Sequence, residues 1–144
     1  MPHYLFVTPY YEPFTSGTVA FVAAMARRLV ADGSAVTVLT TNAERASDFW
    51  LPSRAAALPR HEMRDGVIVE RLALRYPWPA PYTFGVLRRA GHWLARSPIP
   101  AALQRPVLRT LSRAMPPLAG LAAALDRLAP AADLVHIEDG SWDG

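Results

Sequence analysis

Two short runs of apolar and β-branched residues, neither carrying a charge, most constrain how this chain can fold. Residues 4–8, Tyr-Leu-Phe-Val-Thr, form the first and end at Pro9; residues 35–40, Ala-Val-Thr-Val-Leu-Thr, form the second. Runs of this kind read as strands covered on two faces, as parallel strands are. Between them, residues 18–32 place Val19, Val22, Ala23, Ala26, Leu29 and Val30 at helical spacing on one side, with Arg27, Arg28 and Asp32 off it. That is the pattern of an amphipathic crossover helix. Ser16 stands where an N-cap would, and Gly33 where a left-handed stop would. Strand, helix and parallel strand make a right-handed βαβ unit. Such a unit exposes a loop and a helix N-terminus at the carboxyl edge of the sheet, where α/β folds bind ligands.

The rest of the chain extends that unit. Residues 9–17, Pro-Tyr-Tyr-Glu-Pro-Phe-Thr-Ser-Gly, form a loop stiffened by two prolines. It has neither the spaced glycines of a dinucleotide fingerprint nor the Gly-Lys-Ser/Thr end of a P-loop. Residues 41–60 are polar and then alanine-rich, with Phe49-Trp50-Leu51-Pro52 inside them, and read as a loop with at most one helical turn. Asp65-Gly66, flanked by strand-like residues, is a hairpin signal. It pairs residues 61–64, a short antiparallel strand, with residues 67–72, the third main strand. Three prolines interrupt residues 76–82 and exclude regular structure there. Residues 84–95 and 100–114 read as helices, and a further helix is expected from Pro116-Pro117 to about residue 128, with Leu118, Leu121, Ala122, Leu125 and Leu128 as its apolar stripe. Residues 132–137 supply the fourth strand. The expected class is α/β: a Rossmann-like parallel sheet with crossover helices and a short hairpin, one partial domain over residues 1–144. A sheet that ends on its last strand leaves an edge or face uncovered, as the first half of a larger fold would.

Charge and composition narrow the partners. The net charge is +3, and all fifteen basic residues are arginine, spread along the chain with no nucleic-acid motif beside them. A nucleic-acid partner is therefore not expected; a mildly basic surface suits anionic sugar-phosphates or anionic lipid. With no cysteine there is no disulfide framework and no thiolate metal site, which fits a cytoplasmic location. No run of about eighteen apolar residues occurs, and Met1-Pro2-His3-Tyr4 passes straight into a strand, so neither a spanning helix nor a signal peptide is expected. Nor does His136 have a metal partner at suitable spacing.

Residues 4–13, Tyr-Leu-Phe-Val-Thr-Pro-Tyr-Tyr-Glu-Pro, then a glycine, then the helix ending Ala-Arg-Arg-Leu-Val-Ala-Asp-Gly at residues 26–33 and the strand Val-Thr-Val-Leu-Thr-Thr at 36–41, closely resemble the N-terminal domain of GT-B glycosyltransferases of the family-4 type. Residues 133–137, Asp-Leu-Val-His-Ile, resemble that domain's later strand. The resemblance implies an acceptor-side domain, with a second Rossmann-like domain gripping a nucleotide-sugar donor and transfer to a hydroxyl in the cleft between them. It implies no cofactor beyond the donor as co-substrate, a sugar or lipid-linked sugar as acceptor, and no activity for this chain alone. The partner it implies is a polypeptide supplying the donor domain, and it allows peripheral contact with the inner membrane face.

By this resemblance the phosphate-side role carries over to Gly17 only; its neighbours Ser16 and Thr18, and His136, which matches one family histidine, are further candidate substrate-binding residues. The family's His-x-His stands here as His136-Ile137-Glu138, so Glu138 occupies the second histidine's place. Its carboxylate could accept a hydrogen bond from a sugar hydroxyl or act as a base. Tyr10, Tyr11 and Glu12 at the mouth could stack on or hydrogen-bond to a sugar, and Thr41 could point inward from the end of the second strand.

Against each stands a plainer reading: aromatics packed on the helix start, a strand-end hydroxyl that only caps, a core histidine, a solvated glutamate. Phe84, Val86, Leu87, Trp93 and Leu94 with Arg88, Arg89 and Arg96 read either as an interfacial helix on anionic lipid or as a helix packed on the sheet. Two rival functions remain open: a non-catalytic docking or regulatory module that pairs with a separate donor-domain protein, and a small nucleotide-binding or flavodoxin-like protein.

Overall fold

A computed structural model describes residues 1–45, 48, 58–74, 80–113, 118 and 120–138. The expectations for residues 49–52, 76–79 and Pro116-Pro117 lie outside them. The chain runs β1 (His3–Val7), α1 (Gly17–Ala31), β2 (Ala35–Thr41), β3 (His61–Arg64), β4 (Val67–Leu72), α2 (Ala80–Arg96), α3 (Ala101–Arg113), α4 (Leu121–Leu128), a 3-10 turn (Ala129–Ala131) and β5 (Leu134–Ile137). The sheet order is β3-β4-β2-β1-β5. β1 pairs in parallel with β2, from His3 opposite Ala35 to Val7 opposite Leu39, and with β5 on its other side. β2 pairs in parallel with β4, and β3 closes that edge antiparallel to β4. The α/β class, the parallel sheet and the hairpin all stand as expected.

Local chemistry sets the boundaries. Ser16 has extended backbone and its hydroxyl accepts from the Val19 amide at 3.2 Å, capping α1. At the other end Gly33 takes φ +86° and ends the helix. The β3–β4 turn puts Asp65 and Gly66 at φ 51° and 79°, the left-handed pair that a two-residue hairpin of type I′ requires.

Apolar residues alternate along the central strands, and each set meets a helix. On one side Phe6, Val36, Val38, Val67 and Val69 pack with Val22, Ala23 and Ala26 of α1. On the other side Leu5 and Leu39 pack with Ala124 of α4, with Val7, Leu72, Leu121, Leu125 and Leu128 around them. Each fully buried valine or leucine contributes about 1.5–3 kcal/mol. β5 is the outer strand, and Leu134, Val135 and Ile137 are exposed on it, Ile137 by 68%. An uncovered edge was expected there.

Three expectations change. α2 begins at Ala80, so residues 80–82 are helical: Pro81 sits in the first turn, where its missing N–H has no intrahelical partner to lose. α4 begins at Leu121 rather than at the prolines, because Gly120 at φ +85° interrupts the helix, while Leu118 bridges to Leu74. Leu121, Leu125 and Leu128 face the sheet as expected, with Ala124 rather than Ala122 beside them.

Candidate functional site

The parallel strands end together at one rim, and there an open cleft of about 270 Å³ lies beside α4. Val7, Pro9, Leu72, Leu118, Leu121 and Ile137 make its apolar walls; Thr8, Thr40, Thr41 and Glu138 are its polar groups. The volume is just under the usual range for ligand pockets, about 300–1,000 Å³, and is room for one small ring.

Glu138 follows β5 directly. Its amide donates to the Val7 carbonyl at 2.9 Å, continuing the ladder by one bond and fixing the residue beside the cleft. Two residues earlier on the same face, His136 holds its Nε2 3.1 Å from Glu138 Oε2. The His136 ring lies 5.4 Å from the Phe6 ring at 53°, which fixes the imidazole against the sheet. His136 is not a core histidine: its side chain is 38% exposed, because β5 is the outer strand. Histidine and carboxylate together can hold a hydroxyl and take up or pass on its proton.

Thr41 serves the backbone. Its hydroxyl donates to the Pro9 carbonyl at 2.7 Å and accepts from the Ala43 amide at 3.2 Å, pinning the loop after β1 to the end of β2. Thr40 differs. Its Oγ1 is buried with no hydrogen-bond partner among the described residues, as is Nε of its register neighbour Arg71. Buried polar groups are almost always paired, so these two atoms are exceptions; Thr40 shares the α1 face of β2 with Val36 and Val38, and its hydroxyl is closed off from the cleft.

The other expected site residues lie elsewhere. Tyr11 is 2% exposed and belongs to the core beneath α1, so its ring is not offered at the cleft mouth. Burial, aided by the Glu12 carboxylate, pushes its phenol up to about 12. Tyr10 stacks on Phe14 with ring centroids 4.2 Å apart, and burial with nearby Asp48 raises its phenol as well.

Glu12 is taken up in an ion network rather than held out to a sugar. It pairs with Arg27 of α1 and lies 3.7 Å from Arg64 of β3, and Arg27 Nε donates to Asp65 at 2.8 Å. The hydrogen bond that Arg27 donates to Glu12, then the one it donates to Asp65, raise its pKa above the usual guanidinium value. Beneath this network Arg71, almost wholly buried, donates to Glu62 at 2.7 Å and to the Glu12 carbonyl at 2.7 Å.

Glu12, Phe14, Ser16, Val19 and Arg64 surround a second hollow of about 280 Å³. Gly17 and Thr18 open α1 beside it, and a Cβ added at Gly17 would meet nothing within 4 Å. The structure thus brings Glu138 and Thr41 to one cleft, with His136 paired to Glu138, and Glu12 and Ser16 to another hollow. Sequence reasoning missed Thr8 and Thr40, although both fall at the carboxyl ends of the two strands it identified.

Among the described residues no cluster of three or more His, Cys, Asp or Glu side chains could hold a metal ion. No helix among them is long and apolar enough to cross a membrane. No family model matches the chain, and neither a curated protein nor a solved structure matches it.

Proposed function

We propose that this chain is the acceptor-side half of a glycosyltransferase, binding a hydroxyl-bearing sugar over the carboxyl rim of the sheet for transfer from a nucleotide-sugar donor. The reading is carried by one observation: Glu138, paired with His136 at 3.1 Å, borders an open cleft at the end of parallel strands. The resemblance of residues 4–41 and 133–137 to family-4 GT-B acceptor domains supports it from the sequence side.

In this reading the sugar ring lies against Leu72, Leu118 and Leu121. Its hydroxyls meet the Glu138 carboxylate at the rim. As the acceptor oxygen bonds to the donor's sugar carbon, the nucleotide leaves with the bonding electrons, and Glu138 takes up the hydroxyl proton. A separate polypeptide or segment must hold the donor, so the 144-residue chain is inactive alone.

The test has two arms. Purified chain with a panel of nucleotide sugars and acceptors is expected to give no transfer; robust turnover refutes the division of labour. Saturation-transfer NMR with free sugars is expected to show contact that Glu138→Gln weakens about tenfold or more, the cost of one hydrogen bond to a charged group. Equal contact in wild type and variant removes Glu138 from the site.

The exposed β5 edge favours a second reading, a non-catalytic docking module that joins a donor-domain protein there. Leu134→Lys, at an exposed position of β5 outside the cleft lining, separates the two. It abolishes docking in the second reading and leaves sugar contact in the first.

A further inference from the structure

Two surfaces of this fold stand without cover, and they differ in charge. The first is the outer strand. β5 ends the sheet order, so one edge of its backbone has no strand beside it. Its register with β1 turns Leu134 to the α1 side of the sheet and Val135 and Ile137 to the α4 side, and all three are exposed. Residues 128–144 contain four acidic side chains and no basic one, and two of the acids, Asp133 and Glu138, flank the strand.

The second surface is the helical hairpin of α2 and α3, which pack chiefly against each other. Gln104 fixes its turn, donating from Nε2 to the carbonyls of Ser97 at 2.9 Å and Ile99 at 2.8 Å. Val86 and Trp93, two helical turns apart on α2, are exposed, Trp93 by 69%. Leu103 and Val107, one turn apart on α3, are exposed as well. Six of the fifteen arginines fall in these two helices, and residues 71–125 contain no acidic side chain. Arg89, Arg96 and Arg105 are exposed, and none of them pairs with a carboxylate among the described residues.

Charge and backbone chemistry decide what fits against β5. A second β5 laid antiparallel in full register would set Leu134 opposite Ile137 and Asp133 opposite Glu138, acid against acid at both ends. A basic apolar surface has no such conflict. Its apolar side chains take Leu134, Val135 and Ile137 out of water. Its guanidinium groups meet the flanking carboxylates and donate to the free carbonyls of the strand edge. The chain carries a surface of this kind in the α2–α3 hairpin. Within one copy β5 packs chiefly on β1 and the hairpin chiefly on itself, so the two surfaces do not cover each other. Between two copies, hairpin on edge and edge on hairpin, the contact is made twice and closes about a two-fold axis.

We propose that this chain forms a symmetric pair in which the α2–α3 hairpin of each copy covers the β5 edge of the other. The inference is independent of sugar transfer and stands or falls without it.

Sedimentation velocity of the full chain over a dilution series tests it, and one concentration-dependent step from one copy to two is expected. Trp93→Ala, at an exposed position, is expected to raise the dissociation constant about thirtyfold or more, because a tryptophan anchor is lost from both contacts. Arg89→Glu with Arg96→Glu, and separately Leu134→Lys, are each expected to weaken the pair about tenfold or more through like charge or a stranded cation at the contact. The circular dichroism spectrum and melting temperature of each variant are expected to stay those of the wild type. Mixing the arginine variant with Leu134→Lys is expected to restore association: one contact of the mixed pair is intact, and the other sets new acids against a new lysine.

A single copy at every concentration, growth beyond two copies, or a mixture no tighter than either variant alone overturns the proposal. So does Leu134→Lys that pairs like the wild type, because the contact is then hairpin on hairpin. A single copy that floats with vesicles containing phosphatidylglycerol overturns it too, because lipid then covers the hairpin.

Discussion

On the α1 side of the sheet, Phe6, Val36, Val38, Val67 and Val69 meet Val22, Ala23 and Ala26, with Tyr11 added from the loop. On the opposite side α4 brings Ala124, Leu121 and Leu125 over Leu5 and Leu39, and an open cleft remains at the rim. The difference is one of helix length. α1 has fifteen residues and spans about 22 Å, enough to cover a strand of five residues, about 17 Å long; α4 has eight and spans about 12 Å. One helix seals its face and the other falls short of the strand ends. The α1 side buries the larger apolar set, and beside the shorter α4 a cleft stays open where the parallel strands end.

The largest expected effect tests the sealed side. Phe6→Ala removes a ring that is 2% exposed and is expected to cost about 3–5 kcal/mol in urea unfolding. Leu121→Ala, on the partly covered side, is expected to cost about 1 kcal/mol. Equal losses would erase the distinction between the faces.

Next comes pH. Tyr11 has its phenol raised from 10.0 to about 12, chiefly by burial. A group whose folded pKa is raised contributes stability that is present below its unfolded pKa and lost as pH climbs through the folded one. Stability is therefore expected to fall between about pH 10 and 12, with a slope of at most about 1.4 kcal/mol for each tenfold drop in proton concentration. Tyr11→Phe lacks that part of the fall, which the difference between the two unfolding curves reads directly.

The smallest effect separates the ends of α1 from its face. Ser16→Ala is expected to cost about 1 kcal/mol, well below Phe6→Ala, because the cap satisfies one amide while the face excludes water from a whole layer. Thermal melts of both variants rank them.

Where order is local, the sequence carried it. Ser16, Gly33 and Asp65-Gly66 each mark a boundary through their own backbone or side-chain chemistry, and the uncharged apolar and β-branched run at residues 35–40 marks β2 whatever surrounds it. Where order is set at a distance, pattern failed. Tyr11 reads like Tyr10, yet only one is swallowed by the core, because the loop must first fold back under α1. Glu12 reads as a loop carboxylate, and its Arg27 and Arg64 partners come from an α-helix and an edge strand. Ala124 rather than Ala122 joins Leu121, Leu125 and Leu128 against the sheet, a change of flank within the expected helical phase that depends on which side the sheet approaches. The cleft was legible as a rim but not as a shape, since its walls depend on how far α4 reaches.

A Cβ built on Gly66 would sit 2.7 Å from Val30 Cγ1, and next to it Asp65 grips Arg27. The turn of the edge hairpin is thus latched to the far end of α1, some thirty-five residues earlier in the chain. Two segments that would otherwise fray separately become one cooperative opening unit: amide protons at 62–70 and at 26–32 should exchange with matched free energies, and Gly66→Ala should unlatch both together.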